Sequence, residues 1–441
     1  MNIAFIPIDN RPVCYSLPEQ IAKISNNINL YLPQRKLLGD LKKISDIDGI
    51  LNWLENLKNI DAVVMCLDTI AYGGLIPSRR SNDDIENIKL RLLRLKKIIQ
   101  GKRVYAFSSI MRISNNNINE EEKEYWKDWG KKIFEYSYNF HKNGVKSAAV
   151  PAEILEDYLR TRKRNFEINK MYLQWQKDGI FDTLIFSKDD CAEYGLNVIE
   201  ANELENLGGF VKTGADEIPI SLLARSISLE KIKIAPIFFA PQCKNLISNY
   251  EDISIENSVK GQIELAGCDV SEPEDADILL YINNFEEHQG EIVMKIPTKH
   301  FDKDWDLPQK PYMIADVRFA NGADNVFVDR LFEKGFGGNF FGYSAWNTSA
   351  NTLGSLICAA KVKYLFALSD ESFVKLQVVR FLDDWAYQAN VRQMLNKPDE
   401  KLCKELMKPF EEKIWQAFGI KYNINYKFPW NRLFEVEIEL S

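Results

Sequence analysis

The sequence predicts an α/β protein in which parallel strands alternate with helices. Three observations predict it. Short apolar runs rich in β-branched residues recur along the chain, longer amphipathic stretches separate them, and polar residues succeed the runs. The strand runs are 2–8, 28–32, 62–67, 104–110, 183–187, 233–239, 278–282 and 312–317, with a further short one at 340–344. Amphipathic stretches at 83–100, 119–143 and 152–179 lie between them. This rhythm calls for parallel strands covered by helices. The eight main runs fit a (β/α)8 barrel. Two Rossmann-like lobes divided near residue 230 fit almost as well. Residues 1–368 form the α/β body in either case. Residues 369–441 are expected as a C-terminal extension: capping helices from 371 to about 418, then a final strand or hairpin over 422–440.

Composition bounds the function classes. The 441 residues are 46% hydrophobic and 27% charged, the balance of a globular protein rather than a disordered or collagen-like one. A formal net charge of -7 argues against a nucleic-acid surface. The N-terminus reads as a strand rather than a signal peptide, and no run of 18 apolar residues exists, so no membrane span is expected. The 7 scattered Cys, with no C-x-x-C pair, read as buried thiols of a reducing cytoplasm. The 3 His (His141, His288 and His300) argue against a His-rich zinc site and against a Ser-His-Asp mechanism. The basic stretch with Arg160, Arg162, Lys163 and Arg164 reads as a solvated helix face. Asp383-Asp384, beside Trp385, Tyr387 and Arg392, reads as surface or docking. No cofactor is expected, since Gly73-Gly74 and Gly337-Gly338 are lone pairs without a phosphate-loop pattern.

The functional reading comes from the residues at the strand ends. The first strand runs into Asp9-Asn10-Arg11-Pro12, and the third into Asp68, Tyr72 and Gly73-Gly74. The fourth ends at Arg112 and the fifth at Asp189-Asp190. Later ones end at Asn283-Asn284 and at Asp316, with Asn321-Gly322-Ala323-Asp324 beyond, and the last holds Tyr343, Trp346 and Asn347. Parallel α/β folds bind ligands at the carboxyl ends of their strands. A single Asp or Asn there is usually a helix cap, but Arg and Trp are not cap residues, so the series points to one polar rim. Adjacent Asp189 and Asp190 repel, which suits a general acid beside a charge stabiliser. Asp216-Glu217 ranks second, against a plain reading as helix cap and first-turn acid. Trp346 with Asn347 suggests a ring and amides that hold a sugar, evenly matched by a buried Trp beside a cap.

Several of these blocks, in order, resemble a bacterial family catalogued only as a domain of unknown function. They are Pro7-Ile8-Asp9-Asn10-Arg11-Pro12, the stretch from Asp68 through Arg79, and Asp189-Asp190 through Gly195. Gly214 through Glu217, Asn321 through Asp324 and Gly342 through Thr348 continue the match. Ser344-Ala345 stands where relatives more often show a small residue and Gly. The resemblance spans most of the chain and implies relatives, not a reaction.

Three functions compete. The first is hydrolysis of a glycosidic bond, with an N-acetylated sugar as the model substrate: Asp190 as general acid and Asp189 holding the acetamido group. The second is a divalent-metal-dependent hydrolase or phosphate-transfer enzyme with Asp9, Asp68 and Asp316 as oxygen ligands and Arg11, Arg79 and Arg112 on the anion. The third is a non-catalytic sugar or metabolite binder. The expected partner is a small molecule or carbohydrate, with no nucleic acid and no membrane.

Overall fold

The computed structural model describes residues 1–145, 149–189, 192–366 and 370–441. The chain divides into two compact units, Met1–Asn10 with Asn29–Pro219 and Arg11–Ile28 with Ile220–Ser441. The main passage between them thus lies at 219/220, and residues beyond 370 are counted with unit 2.

Unit 1 holds strands β1 (Asn2–Ile6), β2 (Asn29–Tyr31), β3 (Ala62–Cys66), β4 (Arg103–Ile110), β5 (Thr183–Lys188) and β6 (Val211–Thr213). They form one sheet of order β2-β1-β3-β4-β5-β6, parallel throughout. β3 reads Ala-Val-Val-Met-Cys and is buried at every position, as a strand covered on both faces must be. The helix Ile85–Ile99 buries Ile88, Leu92, Leu95 and Ile99, a three-to-four-residue stripe, and Asp84 caps it by accepting from Glu86 N.

The helix Ala152–Lys177 corrects one expectation. Arg160 and Lys163 are exposed, but Arg162 is buried. Its guanidinium pairs with Glu200 at 2.7 Å and donates to the Met111 carbonyl. Arg164 donates to the carbonyls of Ser78 and Ser81 and lies over the Tyr72 ring. Half of the supposed solvated face therefore ties the helix to the end of β4 and to the short helix Leu75–Arg80 that follows β3.

Unit 2 holds β7 (Lys233–Phe238), β8 (Asp269–Val270), β9 (Ile278–Asn283), β10 (Gly290–Glu291), β11 (Tyr312–Asp316), β12 (Phe319–Ala320), β13 (Phe340–Ser344), β14 (Ile424–Lys427) and β15 (Glu437–Leu440). Its main sheet has the order β13-β11-β9-β7-β8, again parallel. Counted from β7, this is second-first-third-fourth-fifth, the order of the first five strands of unit 1. The protein is thus two doubly wound, Rossmann-like sheets rather than a barrel. The repeating βα rhythm fits both arrangements, and only the strand order separates them.

The C-terminal part supplies the helix Asp370–Arg380, a π-helix over Phe381–Asn390, the helix Glu400–Phe418 and the antiparallel hairpin β14–β15. The π-helix overturns the surface reading of Asp383-Asp384, since both are buried. Among the described residues, no helix is long and apolar enough to cross a membrane.

Candidate functional site

In a sheet of this order the strand order, not the strand direction, reverses between β1 and β3, and ligand crevices open outside the carboxyl ends at such a point. In unit 1, Asp9 and Asn10 come after β1, and Asp68 after β3. Two latches fix this edge. The Thr69 hydroxyl donates to the Pro7 carbonyl at 2.6 Å, and Arg35 donates twice to the Asn10 carbonyl, at 2.9 and 2.7 Å. Gly73 has φ +88 and Gly74 φ +134, left-handed backbone that lets two short helices meet and explains the pair without a phosphate.

Asp68 is fully buried. Its Oδ2 accepts from Ser109 N at 3.0 Å, and its Oδ1 lies 3.1 Å from the Ser108 hydroxyl. That hydroxyl is also 2.7 Å from Asn169 Oδ1, so one proton serves two acceptors. Burial pushes the Asp68 carboxyl up to about 6, against the hydrogen bonds of Ser109 and Ser108 and the charge of Arg79. A protonated Asp68 donates to Ser108, which releases the hydroxyl proton for Asn169. Tyr72 is a buried ring beneath Arg164, and its hydroxyl has no hydrogen-bond partner among the described residues.

From this edge a chain of ion pairs leads outward. Buried Arg79 lies 3.4 Å from Glu121 and 3.2 Å from Glu122. Arg112, just past β4, takes Glu121 at 2.9 Å, Glu122 at 3.3 Å and Asp189 at 3.7 Å. Glu122 also lines an open cleft of about 570 Å³ with Lys42, Arg80, Lys123, Tyr125 and Asp157. Lys123 Nζ sits 2.6 Å from Asp157 and 3.1 Å from Asn82, and the Tyr125 hydroxyl donates to Asp157 at 3.1 Å. Burial raises the Asp157 carboxyl, but the hydrogen bond and charge of Lys123 outweigh it, so the net shift is downward. The volume falls within the roughly 300–1,000 Å³ of small-ligand sites, and the lining is polar.

Asp190 lies outside the described residues, so the Asp189–Asp190 pair is represented by Asp189 alone. Asp216 and Glu217 are buried, and Glu217 folds back to accept from Ala215 N at 3.3 Å. Gly214, at φ +112, leaves the space that this carboxylate fills: a Cβ there would lie 1.8 Å from Glu217 Oε1.

The remaining predicted residues belong to unit 2. Arg11 pairs with Glu435 at 3.2 Å and lies over the Trp430 ring. Asp316 accepts from Asn283 at 2.8 Å, from the Tyr343 hydroxyl at 2.9 Å and from Asp324 N at 2.9 Å. Burial and then repulsion from Asp324 push its carboxyl up to about 7. Asn321 (φ 61) and Asn347 (φ 58) adopt the left-handed backbone that Asn tolerates, and Asn321 N donates to the Asn347 carbonyl. Trp346 is 4% exposed, against Phe434, and lines a cavity of about 20 Å³ with Pro12, Arg380, Asp383 and Glu435. It is a core ring, and a sugar face has no access to it in this conformation. Arg380 holds Asp383 at 3.1 Å and Asp384 at 3.2 Å.

The strand-end residues of the sequence reading thus belong to two sheets, one in each unit. Two residues past each fourth strand (β4 and β11) stands an arginine among carboxylates, Arg112 and Arg318. The set Asp9, Asp68 and Asp316 is divided between the units, and no group of three or more His, Cys, Asp or Glu among the described residues could hold a metal ion. Sequence reasoning missed Glu121 and Glu122, in the charged bend ahead of the helix Trp126–Asn143, and Asp157 in the helix Ala152–Lys177, because none of them belongs to a motif. It also missed His300 and Arg318 of unit 2.

No curated protein and no solved structure matches the chain. A family model described as Protein of unknown function (DUF4127) matches residues 3–439. With that match covering nearly every residue, and with both sheets inside it, the chain belongs to this family.

Proposed function

We propose that this chain hydrolyses a glycosidic bond of a small sugar, with an N-acetylated sugar as the model substrate, at the carboxyl-end rim of unit 1. The observation that carries the reading is the polar cleft of about 570 Å³. Ammonium, guanidinium, carboxylate, amide and phenol groups line it, the mixture that exchanges hydrogen bonds with a polyhydroxylated ligand. Arg112 links its wall residue Glu122 to Asp189. In this reading Asp190 protonates the leaving oxygen and Asp189 holds the acetamido group, the substrate-assisted variant of glycoside hydrolysis. The small net negative charge fits a neutral substrate. The described cysteines are free thiols, which suits a reducing cytoplasm.

A panel of nitrophenyl glycosides tests the reading. Release of nitrophenolate from at least one N-acetylhexosaminide is expected. Sugar binding measured by calorimetry without turnover would move the proposal to a binder. Neither binding nor turnover would end it.

A further inference from the structure

Unit 2 carries a second polar centre that the glycosidic reading does not use. His300 Nδ1 lies 2.7 Å from Asp324 Oδ1, while the imidazole side chain is 53% exposed. Asp324 is fully buried and held in place. Its Oδ2 accepts from Phe301 N at 2.7 Å and lies 3.7 Å from Arg318 Nε, and its Oδ1 accepts from Val326 N at 3.1 Å. An ionised carboxylate can only accept, so the hydrogen bond assigns the proton to Nδ1 and leaves Nε2 as a lone pair on the solvent side. A buried carboxylate that fixes the imidazole tautomer and stabilises the imidazolium is the orienting half of a catalytic dyad. The Phe319 ring, 5.3 Å from the imidazole, walls one flank.

A second observation points to a ligand. Arg318 is fully buried, with Nε donating to Asn283 at 2.9 Å and Nη1 to the Lys299 carbonyl at 2.8 Å. Its Nη2 has no hydrogen-bond partner among the described residues. An unpaired buried donor is costly, so its retention calls for an oxygen that it meets in some state. His300 and Arg318 both lie against the Asp324 carboxylate, at 2.7 and 3.7 Å, and a base with a spare N–H donor is the pair that acyl transfer needs.

We propose that His300 and Asp324 form an acid–base dyad that hydrolyses a carboxylic ester, with Arg318 as donor to the carbonyl oxygen. Nε2 takes a proton from water as the water oxygen bonds to the carbonyl carbon. The bond from that carbon to the alkoxy oxygen then breaks, and Nε2 returns the proton to the departing oxygen. A carboxylic acid and an alcohol result. The centre lies in the other unit and cleaves another bond, so it stands or falls apart from the glycosidic proposal.

The test uses the full chain and p-nitrophenyl acetate. The protein-dependent release of nitrophenolate is expected to fall about a hundredfold in His300→Gln and to persist in His288→Gln. An unchanged rate in His300→Gln, or no protein-dependent rate, overturns the proposal. Long-range nitrogen–proton NMR of the intact protein at pH 8 supplies a second readout. A proton on Nδ1 of His300 supports the dyad, and a proton on Nε2 alone refutes it.

Discussion

At Asp68 the Ser108 hydroxyl has one proton and two acceptors. A folded carboxyl raised from 3.8 to about 6 keeps its proton longer than an unfolded one. Its contribution to stability is complete below the unfolded value and is lost as pH rises through 6. Between those limits the loss is about 1.4 kcal/mol per pH unit. Asp68→Asn mimics the protonated form. Urea unfolding from pH 4 to 8 should therefore show a shallower fall in the variant, and equal slopes would contradict this. Arg79 makes a second case. Replacing it with Met removes one of the two guanidiniums on buried Glu122 and leaves Arg112, with an expected cost of about 2 kcal/mol in the same assay. At this scale the sequence was only partly legible. Asp68 was visible because it ends an apolar strand. Its burial was not, because Ser108, Ser109 and Asn169 come from distant parts of the chain. Residues 120–124 are all charged, and nothing in the string tells which of them turn inward.

At the scale of elements, strands were legible where both faces are covered. β3 and β9 are near-continuous apolar runs, and so is β11. β6 and β8, with three and two residues, were not, because so short an edge strand needs no apolar run. The π-helix Phe381–Asn390 was equally hidden. Every residue from Phe381 to Ala389 is buried, so Asp383 and Asp384 lie in the interior although two adjacent acids in a sequence usually mark a solvated face. Burial pushes Asp383 up to about 7, with Arg380 opposing and Asp384 adding to the rise. The π-helix also packs on Gly322, at φ +148. A Cβ there would lie 2.9 Å from Ala389 Cα and N. Gly322→Ala combines backbone strain with this clash and should lower stability by roughly 2 kcal/mol, read as a shifted urea midpoint. A neutral variant would show that the close approach relaxes freely.

At the scale of the whole molecule, both units repeat one strand order, and this explains why periodicity could not separate barrel from lobes. The order is set by pairing between distant runs, which a linear pattern does not encode. The raised carboxyls act together. Asp316, Asp383 and Glu200 are each held near 7, so each adds to the same fall in stability as pH climbs from about 5 to 7. Thermal melts across that range should show a falling midpoint, and a rising one would contradict the assignments. The function itself rests on the rim of unit 1. The most direct measurement is kcat/KM for the best N-acetylhexosaminide from the glycoside panel, in wild type and in Asp190→Asn. Loss of the general acid predicts a fall of at least about a hundredfold, with the protein still folded. An unchanged value would contradict the role given to Asp190 and with it the proposed hydrolysis.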